Sequence, residues 1–272
     1  KNEDTLIKNL EIDAKNVIKF MSSNFLTANS GKTGFMLIRS GAMTSPRTLL
    51  VGTEAIHEEP KHKILGIVVN NRLKWDDHSS SILPSLKHRI GTLKRLSYNI
   101  PRKYLPEIGN AIVASKARYG LSIYGPDRIT DDEPTSGHHN SLQVALNNVA
   151  RIALGKKLSD KISAKRLSAD SGIKSLGHAC IEDRLRLAWS SIRNEDSPLN
   201  KWFVADCGHN AMSSRSKTKG HIREMARTTI GRGNFPHTVV RLWNRAGDDV
   251  ITAPTKLKAK AAIKRRATEM PF

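Results

Sequence analysis

The sequence predicts an α+β fold, in which a helix and short antiparallel strands at the N-terminus are followed by mostly helical structure. Three observations lead to this class. Short apolar segments bounded by turn residues occupy residues 35–69, and apolar residues recur at helical spacing after Trp75. Hydrophobic residues make up 38% of the 272 residues, which excludes a chain that is disordered throughout.

The N-terminal elements follow from local patterns. Residues 4–25 are predicted to form an amphipathic helix with Asp4 as its N-cap. A short strand is expected over residues 35–38, and a β-hairpin around Gly52-Thr53. The run Ile64–Val69 is predicted to be one strand buried on both faces, in which Gly66 allows another backbone to approach closely.

The remaining elements are predominantly helical. The pattern predicts a helix over residues 82–96 that Pro84 begins or kinks, and a second helix that Pro101 begins. Residues 120–126 are expected to form a loop and residues 130–140 a polar linker. Further helices are predicted over residues 142–152, ended by Gly155, and over 179–192 and 256–266, whereas the basic segment 213–232 is expected to be loose.

Charge limits the classes of partner. The formal net charge is +20, and residues 151–272 carry 25 basic against 11 acidic side chains, a net of +14. Such an excess favours nucleic acid over a generic basic surface. Aromatic residues are only 5%, so a base-stacking platform is not expected. No apolar run approaches the length of a membrane span, and a membrane-surface partner is not expected because the basic stretches lack large apolar faces. Two cysteines favour a reducing compartment, the nucleus or cytoplasm.

Three Asp-Asp pairs imitate a polymerase metal dyad, which needs two carboxylates on a tight hairpin to share divalent ions. The sequence context favours other roles: a solvated linker for Asp131-Asp132, the N-terminus of a helix for Asp76-Asp77, and a turn for Asp248-Asp249. A zinc set of His178, Cys180, Cys207 and His209 has one-residue gaps that are unusual for structural zinc, so no zinc is expected.

Four segments, taken in order, resemble the reverse transcriptases of non-LTR (LINE-type) retrotransposons. EIDAKNVIKFMSSNFLTANSGKTGFMLI is similar to the helix, turn and strand that follow their catalytic hairpin, and HKILGIVVNNRLKWDDH to the block after it. LKRLSYNIPRKYLPEIGNAIVASKARYGLSIYG resembles their helical thumb, and FPHTVVRLWNRAGDDVITAPTKLKAKAAIKRR a basic tail. The resemblance implies the end of a polymerase palm over 1–72, a thumb over 73–130, a linker and helical connection over 131–200, and a basic C-terminal region over 201–272.

The resemblance also implies roles for individual residues. Lys32 would lie on a mobile turn near the polymerase site, where a lysine protonates or stabilises the leaving pyrophosphate. Leu65 and Gly66 would correspond to the primer grip. The resemblance implies a fragment that begins just after the catalytic hairpin. The catalytic carboxylates and their Mg²⁺ are therefore expected upstream of Lys1, in the same polyprotein, and this chain alone is expected to be inactive.

Two basic helices are the candidate contacts to an RNA template and DNA primer. Lys87, Lys94 and Arg95 fall on one face of the first thumb helix, away from its apolar stripe. The tail supplies Lys256, Lys258, Lys260 and Lys264, followed by Arg265 and Arg266. Two other interpretations stay open: a non-catalytic nucleic-acid-binding scaffold or degenerate element relic, and a module whose charge serves protein partners. Oligomeric state is not predicted.

Overall fold

The structure is a computed structural model that describes residues 3–39, 45–52, 54–126, 137–200 and 235–269. It divides into two compact units, residues 1–81 and 82–272. Small antiparallel sheets occur in the first unit, and the described part of the second is helical, so the predicted α+β class is confirmed. In the described ranges, no helix is long and apolar enough to cross a membrane.

The first unit contains one long helix and two β-hairpins. Its elements are α1 (Glu3–Ser23), β1 (Thr48–Val51), β2 (Glu54–His57), β3 (Lys61–Ile64) and β4 (Ile67–Asn70). β1 pairs with β2 and β3 with β4, both antiparallel, which confirms the predicted helix and the hairpin around residues 52–53. A small apolar cluster of Phe35, Leu37 and Leu49 lies at its centre, with Ile7 of α1 packed against it.

Two strand predictions in this unit are wrong. Residues 35–38 do not form a strand: Phe35 makes an isolated parallel bridge to Glu58. Ile64–Val69 is not one strand but a hairpin, because Leu65 and Gly66 adopt positive φ angles of 48° and 86° and reverse the chain. Two adjacent residues with positive φ suit a two-residue hairpin turn, so the glycine marks the turn rather than a buried strand interior.

A buried carboxylate organises the loops beside this cluster. Glu58 is 5% exposed and accepts hydrogen bonds from the Arg39 guanidinium at 2.6 Å and from the Arg47 backbone N–H at 3.1 Å. Arg47 also reaches Asp4 of α1 at 3.0 Å. The buried charge is therefore paired and hydrogen-bonded, which is the condition for burying it at tolerable cost.

The second unit is built from consecutive helices. The chain enters it through α2 (Asp76–Leu96), which begins in the first unit, and continues through a 3₁₀ turn (Arg102–Tyr104), α3 (Leu105–Gly109), a π-helical turn (Asn110–Ala114), α4 (Ser115–Arg118) and α5 (Leu121–Tyr124). The described remainder comprises α6 (Gly137–Leu154), a 3₁₀ turn (Leu158–Asp160), α7 (Ala164–Ser171), α8 (Leu176–Ile192), α9 (Phe235–Arg245), α10 (Asp248–Ile251) and α11 (Lys256–Glu269).

Most helix predictions are confirmed, with corrections at their boundaries. Pro84 lies inside α2 rather than beginning it, and the helix over residues 102–118 changes to π geometry for one turn. There the Arg89 guanidinium donates to the Ile112 carbonyl at 2.7 Å. The predicted loop at 120–126 contains α5, and the predicted linker ends earlier than expected, because α6 already begins at Gly137. Residues 127–136 and the segment 213–232 lie outside the described residues.

Close packing joins these helices. A Cβ on Gly109 of α3 would lie 2.6 Å from Val149 Cγ1 of α6 and 3.4 Å from Leu93 Cδ2 of α2, so only glycine lets the three helices approach this closely. A second apolar cluster is contributed by α8, α9, α10 and α11, with Trp243 1% exposed within it. These two contacts fix which sides of α2 and α11 are left for solvent.

Candidate nucleic-acid interface

The excess charge is concentrated in one unit. Residues 1–81 carry 11 Lys and Arg against 9 Asp and Glu, a net of +2, whereas residues 82–272 carry 34 against 16, a net of +18. The helical unit is therefore the part of the chain whose field attracts a polyanion.

Packing of α2 leaves its predicted basic face in solvent. Ile82 is 6% exposed and Leu86 and Leu93 are fully buried, whereas Lys87, Lys94 and Arg95 are all exposed. The Arg95 guanidinium donates to Thr92 Oγ1 at 3.2 Å on the same helix. Lys94 and Arg95 also occupy the last turn of α2, where cations stabilise the helix C-terminus regardless of any ligand.

The lysines of α11 are exposed as well, but they do not share one face. Ala259, Ile263 and Ala267 are buried against the second cluster, and Lys256, Lys258, Lys260 and Lys264 are exposed. At about 100° per residue, Lys260 and Lys264 lie about 40° apart, whereas Lys258 lies about 160° from Lys260. One nucleic-acid backbone following α11 therefore reaches Lys260 and Lys264 together but not Lys258.

The arginines at the end of this basic cluster are neutralised within the chain. Asp249 of α10 accepts hydrogen bonds from Arg265 at 2.6 Å and Arg266 at 3.0 Å. Burial opposes ionisation of this carboxylate, but the hydrogen bonds from the two arginines outweigh burial and lower the pKa of Asp249. These arginines are thus less available to phosphate than the four lysines.

The Asp-Asp pairs that the structure describes are used structurally. Asp76-Asp77 opens α2, as predicted. Asp248-Asp249, predicted to lie in a turn, instead opens the one-turn helix α10. Hydrogen bonds from Asn70 at 2.9 Å and Lys61 at 3.2 Å lower the pKa of Asp77. Asp131-Asp132 lies outside the described residues.

The three candidate polymerase-site residues lie on two exposed turns. Lys32 is exposed at the end of a short 3₁₀ turn, Ser30–Lys32, whose chain is held by the Thr33 hydroxyl donating to the Asn29 carbonyl at 2.8 Å. Leu65, 85% exposed, and Gly66 form the tip of the β3–β4 hairpin. The roles of the three residues stay predictions.

The cysteine and histidine positions belong to different environments. Cys180 is buried in α8, with its Sγ 3.5 Å from the Leu121 carbonyl, and His178 Nδ1 lies 3.0 Å from Ser175 Oγ. Cys207 and His209 lie outside the described residues. Over the described ranges, no group of three or more His, Cys, Asp or Glu side chains is arranged to hold a metal ion.

Sequence reasoning missed a network of buried charge around α8. Glu182 is 3% exposed and binds Lys174 at 2.5 Å and Arg186 at 2.8 Å. Burial raises the pKa of the neighbouring Asp183 and lowers that of Arg118. Arg118 lies on a different helix and Lys174 precedes α8, so no local motif marks the set in the sequence.

No family model, curated protein or solved structure matches this chain. The chemistry of the residues described above and the four sequence segments are what indicate a function. Of these two sources, the exposed cations of α2 and α11 give the more direct indication, because their surroundings are defined atom by atom.

Proposed function

We propose that this chain is a part of a retrotransposon RNA-directed DNA polymerase that holds the template–primer, with the helical unit of residues 82–272 as its nucleic-acid-binding surface. The observation that carries the proposal is the set of exposed cations on α2 and α11, two helices whose apolar residues are buried. In the described ranges, no carboxylate lies within ion-pair distance of Lys87, Lys94, Arg95 or the four α11 lysines.

Unpaired, exposed cations are suited to phosphate because each contact releases condensed counterions from the nucleic acid. Four other cations of the same unit are instead satisfied internally: Lys174 and Arg186 by Glu182, and Arg265 and Arg266 by Asp249. Such phosphate contacts position a duplex without reading its sequence. This is the task of a polymerase thumb, which follows whatever template is being copied.

The main rival is a nucleic-acid-binding scaffold with no polymerase role, and a third possibility is a protein-interaction module. The scaffold predicts equal affinity for all nucleic acids, whereas template–primer holding predicts a preference for a primed RNA–DNA duplex that depends on the α2 face. The protein-interaction module predicts weak binding to either substrate.

Filter binding across a salt series tests the proposal with three charge variants. The α2 variant replaces Lys87, Lys94 and Arg95 by Gln, and the α11 variant replaces Lys260 and Lys264 by Gln. The control replaces Lys8, Lys15 and Lys19 of α1, which are exposed lysines of the nearly neutral first unit. The α11 variant and the control should keep the parental melting temperature, because each replaced side chain is exposed. The α2 variant should melt slightly lower, because Lys94 and Arg95 stabilise the C-terminus of α2.

We expect the α11 variant to lower affinity for single strands and duplexes alike and to flatten the log–log salt slope by about two. The α2 variant should reduce the preference for primed duplex over single strand, and the control should change neither quantity. A control that is as damaging as the α2 variant would show that total charge decides binding. An unchanged duplex preference in the α2 variant would favour the scaffold.

A further inference from the structure

A second group of exposed cations lies where the connection after α2 meets the end of α6. Gly155 has a φ of 65°, and a Cβ placed on it would lie 2.6 Å from Arg102 Cζ and 2.8 Å from both terminal nitrogens of that guanidinium. The guanidinium of Arg102 therefore packs directly on the backbone at Gly155. This contact brings together two segments that are more than fifty residues apart in sequence.

The residues next to both partners of this contact are also basic. Lys103 follows Arg102, and Lys156 and Lys157 follow Gly155; all four cations are exposed. Within the described residues, none of the four forms an ion pair with a carboxylate. The nearby Asp160 carboxylate accepts a hydrogen bond from the Lys157 backbone N–H at 2.9 Å.

Two exposed tyrosines lie in the same connection as Arg102 and Lys103. Tyr98 is 78% exposed and Tyr104 is 47% exposed, and the Lys103 ammonium lies 4.9 Å from the centre of the Tyr104 ring. Both rings project from one tightly turned connection, in which the Ile100 N–H donates to the Leu96 carbonyl and the Tyr104 N–H to the Pro101 carbonyl, each at 3.0 Å. We call Tyr98, Arg102, Lys103, Tyr104, Lys156 and Lys157 the Arg102 ridge.

We propose that the Arg102 ridge binds single-stranded nucleic acid, with the tyrosines stacking on unpaired bases and the cations contacting the backbone. Cations combined with exposed aromatic rings are the usual means of binding single strands without sequence preference. A blunt duplex offers no unpaired base to a ring. Among the described residues, no aromatic ring stacks on Lys87, Lys94 or Arg95 of the basic α2 face. Tyr98 and Tyr104 would form a small, local platform, in contrast to the absence of a base-stacking platform expected from the 5% aromatic content.

This inference rests on the proposed nucleic-acid partner and adds a second binding mode. A chain that holds a template–primer has to accommodate template that is still unpaired, and a surface of different chemistry could hold that strand. An acidic protein segment is the competing occupant, because it would satisfy the cations but would gain little from the tyrosines.

Fluorescence anisotropy tests the inference with two probes of equal length. One is a short oligouridine, which does not pair with itself, and the other is a blunt RNA–DNA duplex. Replacing Tyr98 and Tyr104 by Leu keeps apolar bulk and charge but removes both rings. We expect affinity for oligouridine to fall by about tenfold or more and affinity for the duplex by less than about twofold. Replacing Lys103, Lys156 and Lys157 by Gln should flatten the single-strand salt slope by about two.

The matched control is Tyr119→Leu. Tyr119 is 54% exposed and follows α4, so it is separated from Tyr104 by one continuous helical run, about 20 Å at the usual rise per residue. The Tyr119→Leu variant should bind oligouridine like the parent. All variants should melt like the parent, since every replaced side chain is exposed.

Three results would overturn the inference in distinguishable ways. In the first, the parent binds duplex, the α2 and α11 variants change that binding as expected, and the double tyrosine variant binds oligouridine normally. The ridge is then refuted and the proposed function stands. If the parent binds neither probe, both are refuted. Equal losses in the double tyrosine variant and in Tyr119→Leu would also refute the ridge, because the effect would not be local.

Discussion

Asp249 illustrates how one carboxylate decides the role of two neighbouring cations. Its position after Gly247-Asp248 imitates a polymerase signature, yet its oxygens accept hydrogen bonds from Arg265 and Arg266. A carboxylate held in this way stabilises the junction of α10 and α11 and removes two arginines from the basic surface.

We predict that Asp249→Asn destabilises the chain by about 1 kcal/mol at neutral pH, a small value because Arg265 is exposed and Arg266 is only half-buried. The folded chain lowers the pKa of Asp249, so its contribution is present above the unfolded pKa of 3.8 and is lost as the pH falls through the folded value. Urea unfolding at neutral and acidic pH measures both effects.

Asp248→Asn is the matched control for this substitution. Its carboxylate forms no ion pair that the structure describes, so stability should change little at either pH. If Asp248→Asn cost as much as Asp249→Asn, the loss would come from the N-terminus of α10 rather than from the arginine pair.

A pair of glycines tests packing at the same scale. A Cβ on Gly125 would lie 2.3 Å from Cys180 Sγ and 2.4 Å from the Leu121 carbonyl oxygen, although the backbone φ of −63° suits any residue. We expect Gly125→Ala to destabilise the chain by about 1–3 kcal/mol through overpacking. Gly91→Ala, in α2 with nothing within 4 Å of its Cβ position, should instead stabilise it by about 0.5–1 kcal/mol. Thermal unfolding of both variants distinguishes steric conflict from helix propensity.

At the scale of elements, Arg184 joins α8 to the end of α5. It is 1% exposed and donates to the carbonyls of Ser122 at 2.9 Å, Gly125 at 3.0 Å and Pro126 at 3.0 Å. These carbonyls lie at the C-terminus of a one-turn helix that has few internal partners of its own. The short helix depends on the arginine to satisfy them.

We predict that Arg184→Met, which retains most of the side-chain volume, destabilises the chain by about 3 kcal/mol because it leaves buried carbonyls without donors. Arg166→Met is the control: its side chain is 77% exposed and its ion pair with Asp170 is 3.5 Å long, so the change should stay below about 1 kcal/mol. Chemical denaturation of the two variants gives the comparison. Similar losses would mean that Arg184 contributes through general charge rather than through capping.

At the scale of the whole molecule, the structural roles of the paired aspartates lead to one prediction about activity. We expect the purified chain to incorporate no dNTP on a primed RNA with Mg²⁺, because Asp77 and Asp249 are already engaged by neighbouring side chains. Primer extension measured by gel electrophoresis tests this expectation. Extension that is lost in Asp248→Ala, or in Asp131→Ala, would place the metal dyad within this chain.

The sequence by itself determined the α+β class, the long helices α1, α2, α6, α8 and α11, and the exposure of the lysines on α2 and α11. The helices follow from local periodicity, and in α2 and α11 the burial of the apolar residues leaves the lysines exposed. In α1 the periodicity predicts the helix although none of its residues is buried. The hairpin within Ile64–Val69 was missed because an apolar run outweighed the turn signal of Gly66.

Only the tertiary structure decided how distant residues meet. Asp249 neutralises arginines 16 and 17 positions away, Arg184 reaches carbonyls about sixty residues earlier, and Arg102 packs on Gly155. Such contacts depend on helix packing and on a glycine with positive φ, and no periodic pattern encodes them. The same packing determines which cations of the helical unit are neutralised within the chain and which stay available for phosphate.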